Sequence, residues 1–403
     1  MNKSTHFSGQ PVLSQIIRLI PRQMINSLVR RHNCDYYYKR FKTYDHLVTM
    51  LYCCMHDCTS LREVATGLQA HYNKFGHLNL KCIPRRSTLA DSNKNRNPQF
   101  FEDLYNNLYQ FYYGSLPDSL AGKRKEQRLF IIDSTTISLY SDILKGAGCY
   151  AANGKKKGGA KAHVLLNAEN NLPQLINLSA GSRNDRIFMD RIQLPKSSIL
   201  VFDRGYHKFS QWDDWNKQGI SWVTRLINNE VFEVLNNRQV SDTQKQKGIL
   251  NDQVILLGRG TNASTKRIQV RLITYQDKDR PEPFLFLTNN LRFNASTIAL
   301  LYKQRWQIEI FFKRFKQNNP VKYFLGDNEN AIKIQLWTAF IKDLLIKIIK
   351  DKVRRKWSYA NLNSMIRHHL MNYINVFKFL NDPDKALIKI IKQYQVQTAL
   401  FPT

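Results

Sequence analysis

Apolar and polar positions follow different patterns in successive parts of the chain. Up to about residue 115, stretches such as 11–21 and 44–71 repeat apolar residues every three or four positions, as amphipathic helices do. Ser60 followed by Glu63 forms a capping-box pair and predicts a helix starting at Leu61. The corner at 57–60 gives its flanking helices a helix-turn-helix-like form, which any helical bundle also offers. Residues 84–97 lack apolar periodicity and read as a polar, basic loop.

From about residue 120 the runs shorten and become β-rich. Strands are expected in 129–140, 161–170 and 172–181, then a helix in 184–194, a strand in 197–206, a helix in 207–219 and a strand in 220–226. This βββαβαβ order predicts an α/β fold, a mixed sheet with helices on its faces. Four further alternating runs fill 226–284 and read as a β-rich insertion, although the last, PFLFLTNN, could join the main sheet. Helical periodicity returns after Asn294 and again over 328–356, ahead of a basic helical tail. The expected domains are a helical N-terminal domain (1–118), a first core segment (119–225), the β-rich insertion (226–284), a second core segment (285–350) and the helical C-terminal region (351–403).

Charge narrows the partner. The 403 residues carry 61 Lys and Arg against 31 Asp and Glu, a formal charge of +30. Such an excess selects a polyanion, because each neutralised phosphate releases counterions. The stretch 84–97 then either tracks a DNA backbone or is simply solvated. No membrane span is expected, since Lys333, Lys342, Asp343 and Lys347 interrupt the most apolar long stretch. Residues Cys34, Cys53, Cys54, Cys58, Cys82 and Cys149 form no Cys-x2-Cys pair and read as buried thiols.

Two acids stand where apolar strands run out, Asp133 in LFIIDSTT and Asp203 in ILVFDRGY. A buried carboxylate needs a cation or a sheet edge, so two on neighbouring strands invite a divalent metal. Each taken alone is equally an ordinary turn residue. The segment Leu301–Lys316, LYKQRWQIEIFFKRFK, is more specific. On one helix at about 100° per residue, Tyr302, Arg305, Glu309 and Lys316 fall in a wedge of roughly 60°. That face suits a metal-ligating Glu beside donors for phosphate oxygens; a salt-bridged surface helix is the alternative.

Together, FIIDSTT, VFDRGY and the spacing Tyr302-x2-Arg305-x3-Glu309-x6-Lys316 resemble the bacterial DDE transposases of the insertion-sequence-four type. The resemblance covers roughly 120–345, and SLREVATGL and RSTLADSNKNR are similar to the helical segment ahead of that domain in many members. It implies an RNase H-like catalytic core interrupted by a β-rich insertion, which suits the gaps of 70 residues between the two Asp and 106 from Asp203 to Glu309 (203 − 133 and 309 − 203). It further implies Asp133, Asp203 and Glu309 as catalytic and metal-binding residues, with Tyr302, Arg305 and Lys316 gripping DNA phosphates. Two Mg²⁺ ions are the expected cofactors, with Mn²⁺ able to substitute. The implied partners are the double-stranded DNA of terminal inverted repeats and target, and a second copy in a synaptic homodimer. Cut-and-paste transposition through a hairpin intermediate, in the bacterial cytoplasm at the nucleoid, completes the expectation. An RNase H-like endonuclease without strand transfer and a catalytically silent repressor are the alternatives. A base-stacking aromatic is also implied; Phe232 or Tyr275 would serve, with Trp222 and Trp306 assigned to the core.

Overall fold

The computed structural model describes residues 9–114, 128–138, 159–180, 186–258, 267–321, 323–385 and 388. Its helices begin with α1 (Val12–Ile17), α2 (Arg22–Arg31), α3 (Thr43–His56), α4 (Leu61–Ala70), α5 (Phe75–Leu78), α6 (Arg86–Asn95) and α7 (Gln99–Tyr109). They continue with α8 (Arg186–Met189), α9 (Phe209–Lys217), α10 (Asp242–Gln246), α11 (Ala295–Lys303) and α12 (Trp306–Asn318). The last are α13 (Glu329–Lys352), α14 (Tyr359–His369) and α15 (Val376–Asn381). The chain divides into two compact units, one of Met1–Ser115, Leu139–Ile143 and Arg314–Thr403, the other of Leu116–Ser138 and Leu144–Lys313. The N-terminal and C-terminal helices, separate segments in the sequence reading, thus share a unit.

In that helical unit α13 is buried along nearly its whole length, against α3, α6, α7 and α14. Its Lys342 is fully buried. The ammonium donates to Cys54 O at 2.9 Å near the end of α3 and to Asn318 O at 2.6 Å at the end of α12. It thereby satisfies carbonyls that two helix C-termini leave without partners. Ser60 caps α4 as its spacing predicts, accepting from Glu63 N at 3.2 Å. The stretch 84–97 departs from expectation, because α6 occupies most of it. Part of its polarity is turned inward: Asn93 Oδ1 accepts from His46 Nε2 at 2.7 Å, and buried Arg96, just past the end of the helix, donates to Thr43 Oγ1 at 2.6 Å. A helix buried through hydrogen-bonded polar groups shows no apolar stripe to read. Among the described residues no helix is long and apolar enough to cross a membrane. Cys34, Cys53, Cys54 and Cys58 are buried free thiols and Cys82 is half-buried; Cys149 lies outside the described residues.

The other unit is built on one nine-stranded sheet. The strands are β1 (Leu129–Ser138), β2 (Gly159–Asn167), β3 (Leu172–Ala180), β4 (Ile199–Phe202) and β5 (Ser221–Arg225), then β6 (Phe232–Asn237), β7 (Ile249–Leu257), β8 (Ile268–Tyr275) and β9 (Phe284–Thr288). Across the sheet the order is β3-β2-β1-β4-β5-β9-β8-β7-β6. Strands β1, β4 and β5 are mutually parallel, and β2 is antiparallel to β1. The sheet is covered on both faces, which is why its central strands are continuous apolar runs. Ile199 and Val201 of β4 enter one core with Val223, Phe286, Ile298 and Tyr302. Leu200 and Phe202 enter the opposite core with Ile132 and the indoles of Trp212, Trp215 and Trp222.

The β-rich stretch does not leave this sheet. Strand β9 pairs antiparallel with β5, and β8, β7 and β6 follow outward, so the free side of β5 is completed by the chain's own later strands. A buried bidentate pair fixes the return. Arg271 on β8 donates to Asp252 at 2.6 and 2.8 Å, and also to Asn290 O and Phe293 O in the turn that leads into α11. The β-rich stretch therefore aims the helix that carries Tyr302.

Candidate active site

Pairing between β1 and β4 stops at Ile132↔Phe202, so Asp133 and Asp203 are the next positions in register. Asp133 is not at a strand end, since β1 runs on against β2 to Ser138. It stands where the parallel neighbour stops, which opens a place at the carboxyl ends of parallel strands, where α/β sheets bind ligands. The Asp133 carboxylate accepts from Ser134 N at 2.8 Å.

The segment expected as one helix is two. Helix α11 ends at Lys303, a turn covers Gln304–Arg305, and α12 starts at Trp306. The joint is tightened by three-residue hydrogen bonds, Arg305 N to Tyr302 O at 3.0 Å and Ile308 N to Arg305 O at 3.2 Å. The side chains still converge. The Arg305 guanidinium donates through Nη1 to Asp133 Oδ2 at 3.3 Å and through Nη2 to Glu309 Oε1 at 2.5 Å. Tyr302 Oη donates to Asp203 Oδ1 at 3.4 Å. Salt-bridged helix and carboxylate site are thus the same object. Lys316 lies seven residues past Glu309 on α12, in the stretch assigned to the helical unit, with burial lowering its ammonium pKa.

The site is short of positive charge. Burial pushes the Asp133 carboxyl up to about 6; repulsion from Asp203 and Glu309 adds to this, while Ser134 N–H and Arg305 oppose it. Tyr302 is pushed up to about 12 by burial and by the neighbouring Asp203, so it remains a phenol donor at neutral pH. Burial works against the Arg305 charge, but its bond to Glu309 together with the negative charge of Glu309 and Asp133 and the Tyr302 oxygen outweighs this, and the guanidinium pKa is raised.

One cation escaped the sequence reading. The pair Val201↔Val223 places Arg225 in register beside Asp203, and its charge opposes the rise of Tyr302. The guanidinium also lies 4.8 Å over the Phe284 ring. The signal was legible: WVTR ends its strand on a cation as LVF is followed by an acid. Among the aromatics, Trp222 is core as expected, but Trp306 is 60% exposed. It opens α12 on the side away from Ile308 and Phe311, so helix phase turns it outward. Phe232 is exposed on the edge strand β6, and Tyr275 stacks on Phe284 and Phe286. His163 is buried on β2, bonded to Ser179 and stacked on Phe188, as a core residue. Lys155–Lys157, Asn184 and Asp185 lie outside the described residues.

The donor set suits a hard divalent cation: three carboxylates, one of them buried and raised by the other two even beside an arginine. As it stands, the geometry is not a ready cage. Among the described residues no three His, Cys, Asp or Glu side chains are close enough to hold a metal ion.

The family described as "Transposase DDE domain" matches residues 124–341, just over half of the chain and the whole of this site. The chain belongs to the DDE transposases. It is an enzyme that acts on DNA in transposition. Residues 8–81 match a second family, a domain of unknown function (DUF4372). The transposase is 29% identical over 265 residues to "Putative transposase y4zB" of Sinorhizobium fredii, covering 66% of this chain and 71% of that protein. It is also 29% identical over 229 residues to "Probable transposase for insertion sequence element IS5377" of Geobacillus stearothermophilus, 57% and 58% of the respective lengths. A third relative, "Putative transposase for insertion sequence element IS4SA" of Synechocystis sp., is 24% identical over 65% of this chain and 71% of its own. Among solved structures, the cryo-EM structure of the piggyBac transposase synaptic complex with hairpin DNA aligns over 93% of this chain and 82% of that one, at 12% identity and a TM-score of 0.47, too slight a likeness to bear on the site.

Proposed function

We propose that the transposase cleaves insertion-sequence ends and joins them to target DNA at Asp133, Asp203 and Glu309. The observation that carries this is the convergence on the sheet's carboxyl edge: Arg305 joins Asp133 to Glu309, and Tyr302 reaches Asp203. Asp133 from a strand and Glu309 from a later helix meet at a single guanidinium, and Tyr302, three residues before that arginine, reaches Asp203 beside the neighbouring strand. In this reading β1–β5 form the RNase H-like core, the β-rich stretch is inserted before the Glu309 helix, and the helices of 9–114 contribute DNA binding.

The three carboxylates would hold Mg²⁺, with Mn²⁺ as a substitute, and the bound ions would supply activation of the attacking oxygen and stabilisation of the leaving one. The chain's other groups position the DNA. Tyr302, Arg305 and Lys316 hold phosphates beside the scissile bond, and Arg225 adds a fourth donor. Exposed Trp306, next in sequence to Arg305, is the aromatic that stacks on an unpaired base during a hairpin step. Synapsis of two ends calls for a homodimer on the terminal inverted repeats.

Asp133→Ala, Asp203→Ala and Glu309→Ala are each expected to abolish Mg²⁺-dependent cleavage of a duplex carrying the element's terminal repeat, with gel-shift binding of that duplex retained. Cleavage surviving in any one variant removes that residue from the triad. Joining of a pre-cleaved end to plasmid DNA separates a transposase from a nuclease without strand transfer.

A further inference from the structure

Arg305 stands where the site's positive charge is needed. Its two terminal nitrogens are divided between carboxylates 176 positions apart at their furthest, Asp133 and Glu309 (309 − 133). The oxygens it occupies, Asp133 Oδ2 and Glu309 Oε1, belong to the groups that a divalent ion would take. Its Nε is buried and, among the described residues, has no hydrogen-bond partner. The guanidinium fork is therefore split between two acceptors instead of closed on one, and a phosphate could satisfy it bidentately. The residue also lies in the Gln304–Arg305 turn between two helices, not within a helix.

We infer that Arg305 is an internal counter-cation that closes the carboxylate site in the metal-free, DNA-free protein, and that a divalent ion and a DNA phosphate displace it together. This rests on the proposed triad and adds its regulation. An arginine keeps its charge at any physiological pH, so only a competitor releases it. The two competitors act on opposite ends of one contact. The ion takes the carboxylates and frees the guanidinium; the phosphate takes the guanidinium and frees the carboxylates. By linkage each ligand strengthens the other's binding, so the carboxylates hold metal only weakly until DNA is in place.

Mn²⁺ binding to the full-length protein without DNA, followed by the loss of the free-ion EPR signal, tests this. Arg305→Gln is expected to bind Mn²⁺ at least about fivefold more tightly than the wild type, the lower end of ordinary coupling between ligands. Arg305→Lys keeps the charge but cannot span both carboxylates, so it too is expected to bind more tightly than wild type, by less than Arg305→Gln. Adding the terminal-repeat duplex is expected to tighten Mn²⁺ binding in the wild type and to change it little in Arg305→Gln. Arg305→Lys with wild-type affinity would overturn the inference, even if Arg305→Gln does not fold, because charge alone would then explain any gain. Asp133→Asn and Glu309→Gln are read beside them. If neither weakens Mn²⁺ binding, the triad itself is wrong, whatever Arg305 does.

Discussion

Asp133→Asn offers a test of the site's electrostatics that needs neither DNA nor metal. In the folded protein the Asp133 carboxyl titrates near 6, against an ordinary value of 3.8, chiefly because burial disfavours its charge. A raised carboxyl pKa stabilises the fold below the ordinary value, and that contribution is lost as pH rises through the folded one. Ionising Asp133 in place therefore penalises the metal-free fold by about 3 kcal/mol at high pH, at 1.36 kcal/mol per pKa unit. The opposing pull of Arg305 is already contained in that figure, and the side chain is only 22% exposed, so solvent screening is limited. By linkage roughly half of the penalty is present at pH 5 and essentially all of it at pH 7.5. Asparagine keeps the shape and cannot ionise. In EDTA, the stability advantage of Asp133→Asn over the wild type is expected to widen by roughly 1 kcal/mol between pH 5 and pH 7.5, or roughly 1–2 °C in Tm for a chain of 403 residues. Thermal unfolding followed by circular dichroism at a series of pH values reads this directly. A gap that stays constant or narrows with pH would refute the electrostatic picture of the site.

Two further predictions concern the scaffold that aims these residues. Trp222→Ala removes an indole whose ring centre lies 4.5 Å from that of Trp212 in the core beneath β4, and should cost about 3–5 kcal/mol in denaturant unfolding, as large aromatic truncations do; a loss below 1 kcal/mol would mean the indole cluster contributes little to stability. Arg271→Met leaves the buried Asp252 carboxylate, among the described residues, with only the longer 3.6 Å contact to Arg238 and frees the turn ahead of α11, with an expected loss of about 3 kcal/mol. The double variant Arg271→Met with Asp252→Leu should recover much of that stability. If it does not, the hydrogen bonds to Asn290 O and Phe293 O matter more than the ion pair.

The sequence by itself determined most of the local structure and pointed to the candidate site. Alternation and apolar runs marked all nine strands, because a strand buried on one or both faces must carry that pattern whatever its neighbours are; the edge strand β6, exposed along its whole length, carries it without that burial. Ser60 and Glu63 marked the start of α4, a signal contained in four residues. Asp133, Asp203 and the Tyr302–Glu309 spacing pointed to one site because a carboxylate following an apolar run already implies a partner.

Tertiary structure decided what depends on residues far apart in the chain. Helix α6 was hidden because Asn93 and Arg96 are buried by hydrogen bonds to His46 and Thr43, partners about fifty residues away. Whether the later β-rich runs stand apart or extend the sheet turned on which strand completes β5, a pairing that no local pattern encodes. The 302–316 segment is apolar and polar in helical phase throughout, yet it breaks at Gln304–Arg305. That break sets Arg305 between Asp133 and Glu309. The spacing that named the site's residues was local, but the contact that holds its carboxylates is made only when β1, β4 and the two helices come together.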